Sequence, residues 1–166
     1  MPDLQSKRVV ALLNASDDTA DMFQRMLAVS GVHRLVWCHL ADVKKGEVDF
    51  AQFLAEHNPH VVIFDISPPY EENWQCYQTL HDSEAMQSRG FVLTTTNKDR
   101  LDEVVGTDSR ALEIVGEPYD QQQIMTAIEQ ASRNAPPDTP RDIGTASTRT
   151  RRAGSRRSGT RGTRSG

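Results

Sequence analysis

Five short apolar runs recur along the chain, and each is followed by a segment whose apolar residues have helical spacing. An alternation of strands and helices is typical of an α/β fold with a parallel sheet. Right-handed crossovers then place helices on both faces of a doubly wound sheet. The predicted strands span residues 9–13, 35–39, 61–66, 91–94 and 112–115.

The first helix is predicted by apolar residues between positions 22 and 29 that fall on one face, and Gly31 supplies its stop signal. A shorter helical stripe begins at Phe50 and ends before Pro59, whose ring disfavours helix at the residue before it. The later helices are predicted over residues 73–80, 99–105 and 120–131.

The third run is apolar at four successive positions, 61–64, rather than at alternate ones. This pattern indicates a strand covered on both faces, so we expect it to be the central and most buried strand. Asp65 follows directly, where packing alone would favour another apolar side chain. Because ligands of open α/β sheets collect at the carboxyl ends of strands, Asp65 is the first candidate for chemistry. The alternative is that Asp65 only caps the loop after it.

Two other predicted strands end in polar residues. Thr94, Thr95 and Thr96 close the fourth strand and could donate hydroxyl groups to an anion near Asp65, although β-branched residues also suit a strand end for packing reasons. After the fifth strand, Glu117 and Pro118 place an acid and a proline at a sharp turn.

The charge is unevenly distributed. Residues 134–166 hold eight arginines and two aspartates, so the formal charge of −4 divides into +6 on this segment and −10 on the rest. The segment has almost nothing to bury, and we expect a disordered tail rich in Arg, Ser, Gly and Thr. Only this tail is a candidate for contact with nucleic acid.

Other classes of function find little support in the sequence. No apolar stretch approaches the roughly 20 residues of a membrane helix, and no signal region precedes the first strand, so we expect a cytoplasmic protein without membrane contact. The five histidines are scattered, which argues against a histidine-based metal site. Cys38 and Cys76 are predicted to be core residues rather than a disulfide.

Over residues 7–131 the order and spacing of these elements resemble the receiver (CheY-like) domain of two-component signalling. Residues 61–66, 92–95 and 115–119 carry the resemblance. It implies a five-stranded parallel sheet in the order 2-1-3-4-5, the flavodoxin-like arrangement. It also implies that Asp65 is the phosphoacceptor, with the nearby hydroxyl supplied by Thr94, or by Thr95 if the register shifts by one.

Receivers usually hold Mg²⁺ with two adjacent acids after the first strand, and here Asn14 and Ala15 occupy those positions. An alignment that moves Asp17 and Asp18 there would put Arg25 on the apolar face of the first helix, so we reject it. The resemblance therefore implies at most weak Mg²⁺ binding, since Asn14 and Ala15 offer one neutral oxygen in place of two carboxylates.

A further departure is Glu117, which stands where the family has a lysine. Two carboxylates within about 4–6 Å disfavour joint ionisation, so we expect a raised pKa for Asp65 or Glu117. Phosphorylation would place a phosphoryl group with about two negative charges beside Glu117, and we expect it to be impaired. Tyr119 lies close to the place where receivers carry an aromatic switch residue.

The resemblance implies a stand-alone signalling module that is not an enzyme and that binds another signalling protein or a histidine kinase. By the same resemblance the binding surface comprises residues 98–105 and 112–131. The alternatives are a phosphorylation-independent scaffold and nucleic-acid contact through the tail. An aspartate-nucleophile hydrolase would need a cation and further acids, which the residues at positions 14, 15 and 117 do not provide.

Overall fold

The computed structural model describes residues 7–14, 16–106 and 114–134. Strands and helices alternate along this part of the chain, as the sequence predicts. The strands are β1 Arg8–Asn14, β2 His33–His39, β3 Val61–Ile66, β4 Gly90–Thr95 and β5 Ile114–Gly116. The α-helices are α1 Asp17–Ser30, α2 Leu40–Lys45, α3 Phe50–His57, α4 Tyr70–His81, α5 Lys98–Val105 and α6 Gln121–Asn134.

The five strands form one parallel sheet in the order β2-β1-β3-β4-β5, which confirms the predicted fold. All six residues of β3 are buried, as expected for the central strand of a doubly wound sheet. In the register of β3 and β4, Asp65 pairs with Thr94. The sheet therefore places these two side chains on adjacent strands at the same level.

Alternate residues of each strand face opposite sides of the sheet, and each side has its own core. On β1, Val10 and Leu12 face a core that includes residues of α1 and α6. Ala11 and Leu13 face the other core, to which α2, α3, α4 and α5 contribute. Helices on both faces explain why the central strand contains no alternating polar positions until Asp65.

Helix α1 ends at Gly31, as the sequence predicts. Ser16 is its N-cap and accepts a hydrogen bond from the backbone N–H of Thr19, while Asp17 and Asp18 lie in the first turn, where the helix dipole favours acids. Gly31 ends the helix in the left-handed region, at φ 66°.

Helix α2 is not among the predicted helices. It is only six residues long, and Leu40 is its buried residue, so no helical stripe marks it in the sequence. Its last residues, Lys44 and Lys45, carry charges that favour a helix C-terminus, and Gly46 ends it at φ 75°.

Arg89 connects several elements at the end of the sheet where the strands begin, opposite the carboxyl ends of the strands. Its guanidinium is buried and donates to the backbone oxygens of Pro59 at 2.6 Å, Ala85 at 3.0 Å and Leu54 at 3.3 Å, and to Asn58 Oδ1 at 3.1 Å. These contacts satisfy carbonyl groups at the C-terminal end of α3 and before β3.

The next residue, Gly90, allows helix α6 to approach the start of β4. A Cβ atom at this position would lie 2.2 Å from the backbone oxygen of Ala131. Glycine is therefore required here by the close contact between β4 and α6 and not by an unusual backbone angle.

Several predictions concern residues outside the described ranges: Ala15, residues 112 and 113 of the fifth predicted strand, and the tail beyond residue 134. They stay predictions. Among residues 7–14, 16–106 and 114–134, no helix combines the length and apolar character that crossing a membrane requires.

Candidate functional site

The candidate site lies at the carboxyl ends of the parallel strands. Asn14 ends β1, Asp65 lies next to the end of β3, and Thr94 lies next to the end of β4. After β5 the chain turns through Glu117, whose backbone N–H donates to the carbonyl of Thr95 at 3.0 Å. Because the strands are parallel, the polar residues that the sequence identifies as candidates all lie at the same end of the sheet.

Asp65 is buried, with only 4% of its surface exposed, and two hydroxyl groups donate to the same carboxyl oxygen. Thr94 Oγ1 lies 2.8 Å from Asp65 Oδ1, and the hydroxyl of Tyr119 lies 3.2 Å from it. Thr94 is fully buried. The carboxyl group is therefore held by neutral donors, and none of the ion pairs among the described residues includes it.

Burial raises the pKa of Asp65 above its ordinary value. The hydrogen bonds from Thr94 and Tyr119 oppose this rise because they stabilise the charged form, and the charge of Glu117 adds a smaller increase. The expected direction of the pKa change is therefore right for Asp65, but its main cause is loss of solvent rather than repulsion by Glu117. Glu117 is exposed to solvent, which weakens its effect on the buried carboxyl.

Tyr119 is positioned by packing. Its ring lies against Phe23 of α1, with 5.6 Å between the ring centroids, and it contacts the core on the α1 and α6 side. The pKa of its hydroxyl is raised, first by burial and then by the charge of Asp65, so the group stays a hydrogen-bond donor at neutral pH. The sequence indicates an aromatic residue near the site, but not that its hydroxyl reaches Asp65.

The other threonines of this strand end have different partners. Thr95 is buried, and its Oγ1 accepts a hydrogen bond from the backbone N–H of Asn97 at 3.3 Å, just before α5. Thr96 Oγ1 lies 3.4 Å from the hydroxyl of Tyr70. The register of the sheet therefore brings Thr94, and not Thr95, to Asp65.

The residues that would hold a metal ion can be tested against the described geometry. Asn14 is buried, and its side-chain amide donates to the backbone oxygen of Ser16. No group of three or more His, Cys, Asp or Glu side chains within the described ranges could hold a metal ion. Asp65 Oδ1 already accepts two hydrogen bonds. These residues do not fit a Mg²⁺ site built on several carboxylates.

Two spaces adjoin the site. A cavity of about 10 Å³, lined in part by Leu13, Asp65 and Asn73, has room for about one water molecule. A groove of about 500 Å³ opens to solvent beside Tyr119. It is lined by Met22, Thr96, Glu117, Pro118 and Tyr119.

No protein-family model matches the chain. Among curated proteins it is similar to the transcriptional regulatory protein GltR of Pseudomonas aeruginosa, with 20% identity over 128 residues. The match covers 77% of the chain and 50% of GltR, so the chain spans about half the length of that relative.

Solved structures of similar fold include receiver domains. A sensor protein from Polaromonas has a TM-score of 0.60 at 15% identity, with 76% of this chain and 97% of that chain covered. The signal receiver domain of an HD domain-containing protein from Pseudomonas fluorescens has a TM-score of 0.56 at 18% identity, with 76% and 95% covered. The receiver domain of a sensor histidine kinase from P. aeruginosa, which has a magnesium ion coordinated in its active-site cleft, has a TM-score of 0.58 at 11% identity, with 76% and 98% covered. At such identities the likeness establishes the fold.

Proposed function

We propose that this chain, which has the fold of response-regulator receiver domains, is a signalling module of the two-component type that works by binding another signalling protein. Phosphoacceptance at Asp65 is impaired in this proposal. The proposal rests on the arrangement of Asp65, Thr94 and Tyr119 at the carboxyl end of the sheet. In this proposal, the acidic group with a hydroxyl on the neighbouring strand serves as the receiver phosphorylation site, but its partners are neutral.

Transfer of a phosphoryl group to Asp65 would form a bond between a carboxyl oxygen and phosphorus while the donor's own bond to phosphorus breaks. The negative charge that develops on the phosphoryl oxygens needs positive partners. Glu117 is an acid at the nearby turn, and Asn14 provides one amide. The product would carry about two negative charges near Glu117, about one more than the ionised carboxylate that it replaces. These charges disfavour the transfer.

Magnesium would supply the missing positive charge in a receiver of the usual composition. With Asn14 and Ala15 in place of two acids, binding of the ion to this chain is expected to be weak. The proposed module therefore depends less on phosphorylation than a typical receiver does. In the extreme form of this proposal, the module is a scaffold that binds its partner whether or not Asp65 is modified.

The proposed binding surface comprises residues 98–105 and 112–131, which include α5, β5 and most of α6. Helix α5 exposes most of its residues, among them Asp99 and Arg100. Arg100 forms ion pairs with Glu71 of α4 and with Glu103, at 2.9 and 2.8 Å. A signalling protein or a histidine kinase is the proposed class of partner.

The proposal is tested with acetyl phosphate and Mg²⁺, by measuring modification of Asp65 by mass spectrometry. The unmodified chain should be labelled at least tenfold more slowly than a variant that carries Asn14→Asp, Ala15→Asp and Glu117→Lys, since that variant regains two acids and a cation. Adding Asp65→Asn to the variant should abolish the label.

Rapid labelling of the unmodified chain, undiminished when Mg²⁺ is chelated, would contradict impaired phosphoacceptance. Failure of the triple variant to become labelled, although it folds and binds Mg²⁺, would contradict the assignment of Asp65 as a receiver-type acceptor.

A further inference from the structure

Strand β2 forms one outer edge of the sheet. The backbone N–H of Arg8 donates to the carbonyl of Val32, and the bonds between β1 and β2 then alternate along the parallel pair. The N–H and C=O groups of Leu35 and Trp37 therefore point away from β1. Within the part of the chain that the structure describes, no backbone hydrogen bond uses these outward groups. The edge is open to a further strand.

The sequence of β2 lacks the features that usually keep an edge strand from pairing with another chain. Natural edge strands are short, or they carry lysine, proline or a bulge. Strand β2 has seven residues without lysine or proline, and its register with β1 continues over all of them without a bulge. It also exposes an apolar side chain, since 40% of the surface of Trp37 is exposed. Leu35 faces the same side of the sheet two positions earlier.

We propose that two copies of this chain pair through β2 in antiparallel orientation, about a two-fold axis at Val36. This register pairs all seven residues of the strand. It places Trp37 of each copy opposite Leu35 of the other copy, on the face where Leu35 packs against the core shared with α1 and α6. The outward N–H and C=O groups of these two residues then bond each other. A contact that uses the same surface of both copies closes at a dimer.

The charges around β2 are complementary in the same register. Arg34 is exposed and falls opposite Cys38 of the other copy. Burial and, to a smaller extent, the charge of Asp42 raise the pKa of the Cys38 thiol to about 12, so Asp42 lies near Cys38. The pairing therefore brings Arg34 of each copy near Asp42 of the other copy, once on each side of the two-fold axis. The two arginines do not face each other, because each lies opposite a cysteine.

A second copy fits this edge better than an unrelated peptide does. The pairing of Trp37 with Leu35, and of Arg34 with Asp42, arises when one sequence is read in opposite directions. The dimer also goes beyond the proposed function. Strand β5 forms the other edge of the sheet, so the proposed binding surface lies away from the joined β2 strands. The pairing requires no phosphoryl group at Asp65.

Sedimentation velocity of the full chain tests the dimer. The unmodified chain has a mass of 18.6 kDa, and a species of twice this mass should form as its concentration rises to about 100 µM. Trp37→Lys removes the apolar contact and places a charge on the edge. This variant should raise the dissociation constant at least about tenfold.

Val29→Lys is the matched control, because it places the same charge on an apolar residue that is 74% exposed. Val29 lies two helical turns after Met22 on the same flank of α1, and Met22 lines the groove beside Tyr119 rather than the β2 edge. This variant should leave the dissociation constant unchanged. A chain that stays monomeric up to about 100 µM would overturn the proposal, and so would a dimer that Trp37→Lys leaves intact.

Charge reversal tests the register with residues outside the core. Arg34→Glu and Asp42→Arg should each weaken the dimer, because each places two like charges together across the interface. The double variant rebuilds the ion pair with opposite polarity and should recover most of the lost affinity. Circular dichroism of each variant shows whether it is folded. A folded double variant without recovery would overturn the pairing at Val36.

Hydrogen exchange measured by NMR tests the strand pairing without a substitution. The amide protons of Leu35 and Trp37 should exchange more slowly as the protein concentration rises, since they become bonded across the dimer. The amide proton of Val36 points to β1 and should change much less. Dimerisation without slower exchange at Leu35 and Trp37 would show that another surface joins the copies. These outcomes are separate from the proposed function, which depends on the labelling of Asp65 by acetyl phosphate.

Discussion

Replacement of Thr94 by valine should destabilise the protein by an amount that depends on pH. Thr94→Val keeps the shape of the side chain and removes the hydroxyl that donates to Asp65 at 2.8 Å. A hydrogen bond to a charged group contributes about 1.5–3 kcal/mol, and both residues are buried, so solvent screens little of it. Because the hydrogen bond stabilises the charged carboxyl more than the neutral one, the substitution should raise the pKa of Asp65 further.

The direction of the pH effect follows from proton binding. Burial already raises the pKa of Asp65 above its unfolded value of about 4, so the folded state binds more protons than the unfolded state between the two values. The free energy of unfolding therefore falls as pH rises through this interval. Thr94→Val raises the folded-state pKa of Asp65 further and so widens the pH interval between the two pKa values. The variant should therefore lose more stability at pH 7 than near pH 4, because the lost bond contributes about 1.5–3 kcal/mol when Asp65 is charged and only about 0.5–1.5 kcal/mol when Asp65 is protonated.

Urea unfolding of the variant and the unmodified chain at the two pH values measures these differences. The control repeats the comparison in an Asp65→Asn background, where the effect of Thr94→Val should no longer depend on pH. Equal losses of stability at pH 4 and pH 7 with Asp65 intact would refute the reasoning, because the hydroxyl would then not distinguish the charged carboxyl from the neutral one.

Three further outcomes are expected. Arg89→Met should lower the free energy of unfolding in urea by about 1–3 kcal/mol, because it removes a donor to the buried carbonyl of Pro59. Arg100→Ala, at an exposed ion pair, should leave the urea midpoint nearly unchanged. Gly90→Ala should cost about 1–3 kcal/mol in the same assay, since its Cβ would collide with the backbone of α6, and an unchanged midpoint would contradict that contact. Calorimetric titration should give a Mg²⁺ dissociation constant above about 1 mM, lowered by Asn14→Asp with Ala15→Asp; sub-millimolar binding by the unmodified chain would show that the ion binds elsewhere.

The sequence predicts the sheet because its strands and helices are marked by local patterns. The uninterrupted apolar residues of β3 report that both faces of this strand are covered, and the order of elements then fixes the strand topology. Ser16, Asp17 and Gly31 mark the ends of α1 through hydrogen bonding and backbone preference within one turn. Such signals need no knowledge of distant residues.

The features that the sequence does not predict depend on contacts between distant segments. Tyr119 is 54 positions from Asp65, and its hydroxyl reaches the carboxyl only because the ring packs on Phe23. Arg89 is charged and reads as a surface residue, yet it is buried among carbonyl groups of α3 and the loop before β3. The sequence likewise points to Glu117 as the cause of the raised Asp65 pKa, because burial of a carboxyl cannot be judged before the fold is known.

The charge state of Asp65 should depend little on dissolved ions, because the two hydroxyl groups that donate to one of its oxygens are uncharged. A carboxylate held by a lysine or by Mg²⁺ is sensitive to ionic strength and to chelators, because its partners are charges that salt screens or that solution supplies. Thr94 and Tyr119 are part of the chain and carry no charge. Fluctuations in salt and in free Mg²⁺ should therefore leave the charge state of this carboxyl unchanged, whereas a change in pH should alter it.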